Sequence, residues 1–458
     1  LAPKKDFAMN FNNWQEIYQN MSPEMKEQAM RMAKAKVKEK VMHWISQPVL
    51  IVVALVLGAI VGALCAFFGS ILQNVSDIRD AHPLYWIPGL ALAGLAIVFT
   101  YKKLGNGSER GMGIIFDVAH GKEKEIPLRL IPLIMATTWV THLFGGSSGR
   151  EGVAMQIGAT LGHNMSSKVH VENAPRILLV AGMAAGFAGL FQTPMAAIAL
   201  SLEILLAGHL EMAALLPAVA AAVSAYKVSE MIGYEKFTVS LNSFSPDWTV
   251  SSLFYGENGL DIYFILKLAL LGVLFGIVGG GFAKLLKFSR KFFAEKFPTP
   301  LKRVAIMGIV LSALLLLLWQ GRYSGLGTNL TDICFGNPGA ATASAAGIFG
   351  WDWLFKMVLT IVTLSVGFQG GEVTPLFTIG ATFGAVIATI VGVPFPLAAA
   401  LGYAAVFGGA TNTLFAPILV GAEIFGFDTL PAFFIVCTLA YACNGGQSIY
   451  AQKKIRLK

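Results

Sequence analysis

The sequence predicts an all-α polytopic membrane protein, built as an inverted repeat of two helical halves with broken, partly spanning helices. Three observations carry that expectation. First, 55% of the 458 residues are hydrophobic and 13% charged, with a mean hydropathy of +0.65. Soluble domains carry roughly 25% charged residues. Second, several apolar segments are too short to span a bilayer and are interrupted by Gly and Pro, as in transporters with discontinuous helices. Third, the halves repeat. Ile157-Gly-Ala-Thr-Leu-Gly162 returns as Ile379-Gly-Ala-Thr-Phe-Gly384, an offset of 222. Ala184–Ile204 aligns with Ala404–Ile424 at an offset of 220, pairing Gly189 with Gly409, Thr193 with Thr413 and Glu203 with Glu423.

The elements follow in order. Residues 1–47 read as a cytoplasmic amphipathic segment. Ser22 is the N-cap, Pro23 the first helical position and Glu24 a first-turn acid. Met25, Met30, Met32, Val37, Val41 and Met42 then form an apolar face opposite lysines, suited to a membrane surface. The first transmembrane half is 48–232, with apolar segments near 48–72, 85–100, 127–144, 151–165, 175–190, 194–208 and 210–232, and a polar, glycine-rich stretch at 101–126. An extracellular linker, 233–258, leads to the second half, 259–452. Its segments lie near 259–286, 302–320, 350–368, 374–391, 394–408, 414–426 and 429–443, and a basic cytoplasmic tail, 453–458, closes the chain.

Loop charge supplies the orientation, because cytoplasmic loops are enriched in Lys and Arg. The N-terminal segment, the loop 284–303 (seven basic residues against Glu295) and the tail are basic, whereas 233–261 carries Glu235, Asp247, Glu257 and Asp261 against Lys236. Each half then crosses an odd number of times, so two similar halves are inverted relative to each other. The net charge of +8 reflects these loops; no basic and aromatic patch points to nucleic acid. The four cysteines form no CxxC pair and the seven histidines are scattered, so neither a metal site nor a redox motif is expected.

The chemistry is expected where Gly145-Gly-Ser-Ser-Gly-Arg-Glu-Gly-Val153 opens into a short apolar helix. A helix start at membrane depth leaves N–H groups free and carries partial positive charge, so an anion is its natural partner. Glu151 stands at that start. Its carboxylate could fill the anion position and leave once protonated, serving as anion competitor and proton carrier together. The plainer reading is a first-turn acid paired with Arg150. The second half offers Gly367-Phe-Gln-Gly-Gly-Glu-Val-Thr-Pro375, with Thr374 and Pro375 opening another short helix, expected to face the first. Glu372 just before it is a second intramembrane acid, a candidate proton or anion aid or a loop anchor. Phe116 and Phe377 read as core. Gly146-Ser-Ser-Gly149 also fits an intramembrane serine protease, with Ser148 as nucleophile and His142 or His163 as its base.

Gly149-Arg150-Glu151-Gly152 resembles the GREGP/GKEGP motif of the CLC anion channels and transporters, with Val153 where Pro is usual. Gly370-Gly371-Glu372-Val373-Thr374-Pro375 sits where that family has GGIFAP, and the resemblance extends over roughly 48–452. The family's GSGIP motif is replaced by Gly111-Met112-Gly113-Ile114-Ile115, with Met112 in place of the anion-contacting Ser. That exchange resembles the fluoride/proton antiporter branch. The resemblance implies fluoride export driven by proton entry, a homodimer in the lipid bilayer, no cofactor and no enzymatic activity. It suits a bacterial plasma membrane with both termini cytoplasmic. A chloride/proton antiporter or a passive anion channel of the same fold is the nearest alternative. The resemblance implies Glu151 as the gating and proton-transferring residue. Met112, Gly152, Val153, Val373, Thr374 and Tyr450 become anion-pathway residues. Glu203 falls one position from the family's second proton glutamate; it is carried as a candidate proton relay, although its repeat mate Glu423 suggests a structural acid.

Overall fold

The structure, a computed structural model, describes residues 22–235, 237–241, 255–256, 259–337, 340 and 342–454. It divides into two compact units, residues 1–50 and 51–458. Helix α1 (Pro23–Ala81) begins where the sequence places it, and the Met25 amide donates to Ser22 Oγ at 3.3 Å. Met25 and Met30 are exposed. The side chains of Met32, Val37, Val41 and Met42 lie outside the described residues. Pro48 lies inside this helix. A proline there removes one backbone hydrogen bond and favours a kink, but the long apolar run on its C-terminal side continues the helix.

In the second unit the first half contains α2 (Leu90–Thr100), α3 (Met112–Ala119), α4 (Leu130–Leu143), α5 (Glu151–Ser166), α6 (Ala174–Phe191), α7 (Pro194–Glu203) and α8 (Leu215–Met231). The second half contains α9 (Ile262–Lys296), α10 (Pro300–Leu317), α11 (Thr328–Phe335), α12 (Asp352–Val366), α13 (Val373–Val391), α14 (Phe395–Thr411), α15 (Phe415–Phe425) and α16 (Leu430–Ala442). Among the described residues, seven helices are long and apolar enough to cross a membrane, and α4, α7, α14 and α15 are shorter apolar helices. Two helices fall outside the expected apolar segments: α3 within the polar stretch 101–126, and α11 between the segments ending near 320 and starting near 350. Helix α9 runs to Lys296, nearly three turns beyond the expected 286, because its basic end remains helical.

The sequence repeat is a packing repeat. Helix α5 meets α6 backbone to backbone. A Cβ on Gly158 would strike the Gly182 carbonyl, one on Gly182 the Gly158 carbonyl, and one on Gly162 the Leu178 carbonyl. Helices α13 and α14 repeat this with Gly380, Gly402 and Gly384, the last against Ala398. Glycine permits such close approach where apolar burial alone cannot drive helices together. Helices α6 and α14, buried along almost their whole length, form the centre of each half.

The inversion is visible at α7 and α15. Glu203, ending α7, accepts from the amides of Phe415 (2.8 Å) and Ala416 (3.3 Å) at the start of α15. Glu423, near the end of α15, accepts from Met195 (3.1 Å) and Ala196 (2.8 Å) at the start of α7. Each helix end caps the other's start, so the two run antiparallel.

At the chain's far end, Lys453–Lys454 pairs in parallel with Leu206–Ala207, while 455–458 lie outside the described residues. In the linker, Tyr255–Gly256 pairs antiparallel with Gly259–Leu260.

Candidate functional site

The starts of α5 and α13 meet through their repeat-related glycines. Gly149 N donates to Gly371 O at 2.5 Å and Gly371 N to Gly149 O at 2.7 Å. The approach requires glycine, since a Cβ on Gly149 would lie 2.8 Å from Pro375 Cδ and 3.0 Å from Gly371 O. The two helix starts therefore face each other, as an inverted repeat demands.

Glu151 is fully buried between them. Its Oε2 accepts from the Thr374 amide at 3.0 Å and from the Thr374 hydroxyl. The Arg150 amide lies at 3.4 Å from the same oxygen. Oε1 has no hydrogen-bond partner and faces Arg150 Nε at 3.6 Å. The sequence reading set this carboxylate at the start of its own helix. Instead it occupies the start of α13, because the glycine bridge carries that helix's free donors across to it. The expected contact with Arg150 exists as well, but it engages the other oxygen.

Two cavities approach this contact from opposite ends of α10, an 18-residue helix about 27 Å long. One, of about 400 Å³, is lined by Arg150, Thr374, Tyr403 and the segment 324–332 that follows α10. The other, of about 470 Å³, is lined by Met112, Gly370, Glu372, Tyr450 and, near the start of α10, Arg290 and Arg303. Glu151 lines neither and stands between them.

Met112 opens α3 behind Gly111, whose φ of +52° turns the chain into the second cavity. Tyr450 is 7% exposed, stacks on Phe116 with centroids 5.7 Å apart, and leaves its hydroxyl without a partner. Its loop is tied to the end of α14: Ile449 N donates to Ala410 O and Ser448 Oγ to Thr411 O, both at 2.9 Å. A buried, stacked tyrosine is not the interfacial belt residue that its position before a basic tail would also allow. Val153 and Val373 are fully buried and, with Gly152, pack around the crossing without lining either cavity. Phe377 stacks between Phe191 (5.0 Å) and Tyr403 (4.3 Å), a packed wall behind the start of α13.

The other acids are engaged. Glu372 Oε1 pairs with Arg290 Nη2 at 2.8 Å. Arg290 was read only as loop charge; the extension of α9 brings it to the cavity. Glu203 is occupied by the reciprocal cap already described. Ser148 and His142 do come together, with Oγ to Nε2 at 3.2 Å. Both are fully buried, and Ser148 Oγ also lies 3.4 Å from Gln369 O. A nucleophile enclosed this way cannot meet a peptide, so the pair fastens the loop before Glu151. His163 is elsewhere, bonded to Lys124 O at 3.1 Å. Among the described residues, no group of His, Cys, Asp and Glu is arranged to hold a metal ion.

The family profile described as voltage gated chloride channel matches residues 91–445. This chain belongs to the CLC family. A CLC relative from Pseudomonas syringae pv. tomato, a chloride/fluoride channel protein, is 33% identical over 400 residues, covering 86% of this chain and 84% of that one. The crystal structure of a CLC-type fluoride/proton antiporter matches with a TM-score of 0.82 and 46% identity, over 89% of this chain and 98% of that one. A slow cyanobacterial Cl⁻/H⁺ antiporter shares the fold at 20% identity, with a TM-score of 0.68 over 88% of this chain and 96% of that one. CLC membership makes the chain an integral membrane ion-transport protein.

Proposed function

We propose that this chain is a fluoride/proton antiporter, which exports fluoride and is driven by proton entry. One observation carries the reading: Glu151 holds the Thr374 donors at the start of α13, between two cavities. An ionised carboxylate and an anion compete for such donors. Protonation removes the charge that holds Glu151 there, and the side chain gives way to fluoride. Loss of the proton on the other side returns the carboxylate and displaces the anion. One group thus ties the two ion movements together.

The resemblance in sequence to a CLC-type fluoride/proton antiporter supports fluoride as the anion. So does Met112, which withholds a hydroxyl from the pathway. Fluoride gives up its water only for strong, close donors, and the Thr374 amide and hydroxyl are compact ones. Fluoride also crosses membranes as its neutral acid and accumulates in a cell with an acidic exterior, where proton-driven export relieves it. In this reading the protein is a homodimer in a bacterial plasma membrane with cytoplasmic termini, and the cavity lined by Met112 and Tyr450 opens inward.

The test is anion efflux from proteoliposomes loaded with fluoride or chloride and an internal pH dye. Fluoride efflux with matching proton uptake is expected. Anion flux with no proton movement would make the protein a channel, and proton-coupled chloride efflux faster than fluoride would make it a chloride exchanger.

A further inference from the structure

Met112 leaves the inner cavity without the hydroxyl that its position carries elsewhere in the family, yet that cavity is not poor in polar groups. Gln156 lies on α5, five residues beyond Glu151, and is 4% exposed. Its Oε1 has no hydrogen-bond partner. The same oxygen is 3.1 Å from the point where a Cβ on Gly111 would sit, directly before Met112. Gln156 lines the cavity together with Met112, Tyr450 and Ser365. The Tyr450 and Ser365 hydroxyls, 7% and 6% exposed by residue, are also without partners. Three buried polar side chains with unpartnered atoms around one cavity call for a ligand to satisfy them, since buried polar groups are nearly always paired. The main-chain oxygen of Gln156 accepts from Thr160 Oγ1 at 2.7 Å, but no such bond ties down its carboxamide oxygen.

We propose that the Gln156 carboxamide is an anion donor of the inner cavity and helps select fluoride, standing in for the hydroxyl absent at Met112. The proposal rests on the antiport reading above. A half-turn of the amide exchanges its carbonyl for its NH₂ group, so a side chain with nothing fixing its oxygen can offer two N–H donors to an arriving ion. The Tyr450 hydroxyl supplies another donor on the same cavity. Fluoride, compact and strongly hydrated, has most to gain from such donors; chloride has less.

The experiment is fluoride and chloride efflux from proteoliposomes of the full chain, over a range of internal anion concentrations, with proton uptake followed in parallel. Gln156→Leu keeps the bulk and removes the donors. The fluoride concentration for half-maximal efflux should rise roughly tenfold to a hundredfold, the worth of one hydrogen bond to an ion. Chloride efflux should hold or increase, with protons moved per fluoride unchanged. Gln156→Glu, which keeps the shape and the acceptors, should show the same fluoride loss and covers the case in which the leucine variant does not fold. Parental half-saturation in either folded variant overturns the proposal. So does an equal loss for both anions with a lowered melting temperature, which marks a packing role. If the parent itself does not exchange fluoride for protons, the antiport reading fails first and on its own.

Discussion

Two pairs of repeat-related positions in this protein have opposite fates. Glu203 and Glu423 keep the same residue and the same task, each capping the other's helix. Glu151 is matched in the second half by Val373, and Thr374 in the first by Gly152. There the halves supply complementary parts: a carboxylate from one, an amide and a hydroxyl from the other. The scaffold around both pairs is symmetric, as the mutual Gly149–Gly371 bonds show. Symmetry is retained where helix ends must be satisfied inside a bilayer and broken where a charge must be able to leave.

The largest effect should come from removing the titratable half of the broken pair. Glu151→Gln keeps shape and loses the proton site; proton uptake by loaded liposomes should stop, with anion efflux either stopped or uncoupled. Parent-like exchange in this variant would refute the mechanism. Thr374→Ala removes the other half. It should weaken fluoride transport by about 1.5–3 kcal/mol, one hydrogen bond to a charged group, read as initial efflux under a fluoride electrode. The symmetric pair should behave differently: Glu203→Ala and Glu423→Ala should each lower stability by about 1 kcal/mol, as lost helix caps do. Thermal melts in detergent would show whether the two losses match, and proton-to-fluoride ratios should stay parental in both. Loss of proton coupling in Glu203→Ala alone would assign Glu203 the relay role. The smallest change belongs to Met112→Ser, which adds a hydroxyl without touching the pair; it should shift relative chloride over fluoride efflux upward, measured on one liposome preparation.

Much of this arrangement was legible in the residues. The offsets of 222 and 220 forecast two similar halves, loop charge forecast their inversion, and glycines opening short apolar helices at 149–151 and 371–373 forecast that their starts would meet. Glu423 as the mate of Glu203 already argued for a structural pair. Contacts between distant segments were not legible: spacing says nothing about Arg290 reaching Glu372, or about which helix start receives the Glu151 carboxylate. Short amphiphilic helices were also hidden. The eight residues of α3 sit among glycines and charges, so their composition reads as loop, and with them the placement of Met112 on the same cavity as Gln156 was invisible.

Glu151 stands between two cavities, with its neighbours Arg150 and Thr374 lining one and Gly370 and Glu372 lining the other. A cavity that fills with water carries the potential of its bulk phase inward, so with both cavities hydrated the membrane voltage would be concentrated across the stretch that holds Glu151. A unit charge crossing the full drop exchanges about 2.3 kcal/mol per 100 mV. On the proposed function, fluoride leaving and a proton entering carry current in the same direction. An inside-negative cell would therefore drive fluoride out electrically, even with no pH difference to draw upon.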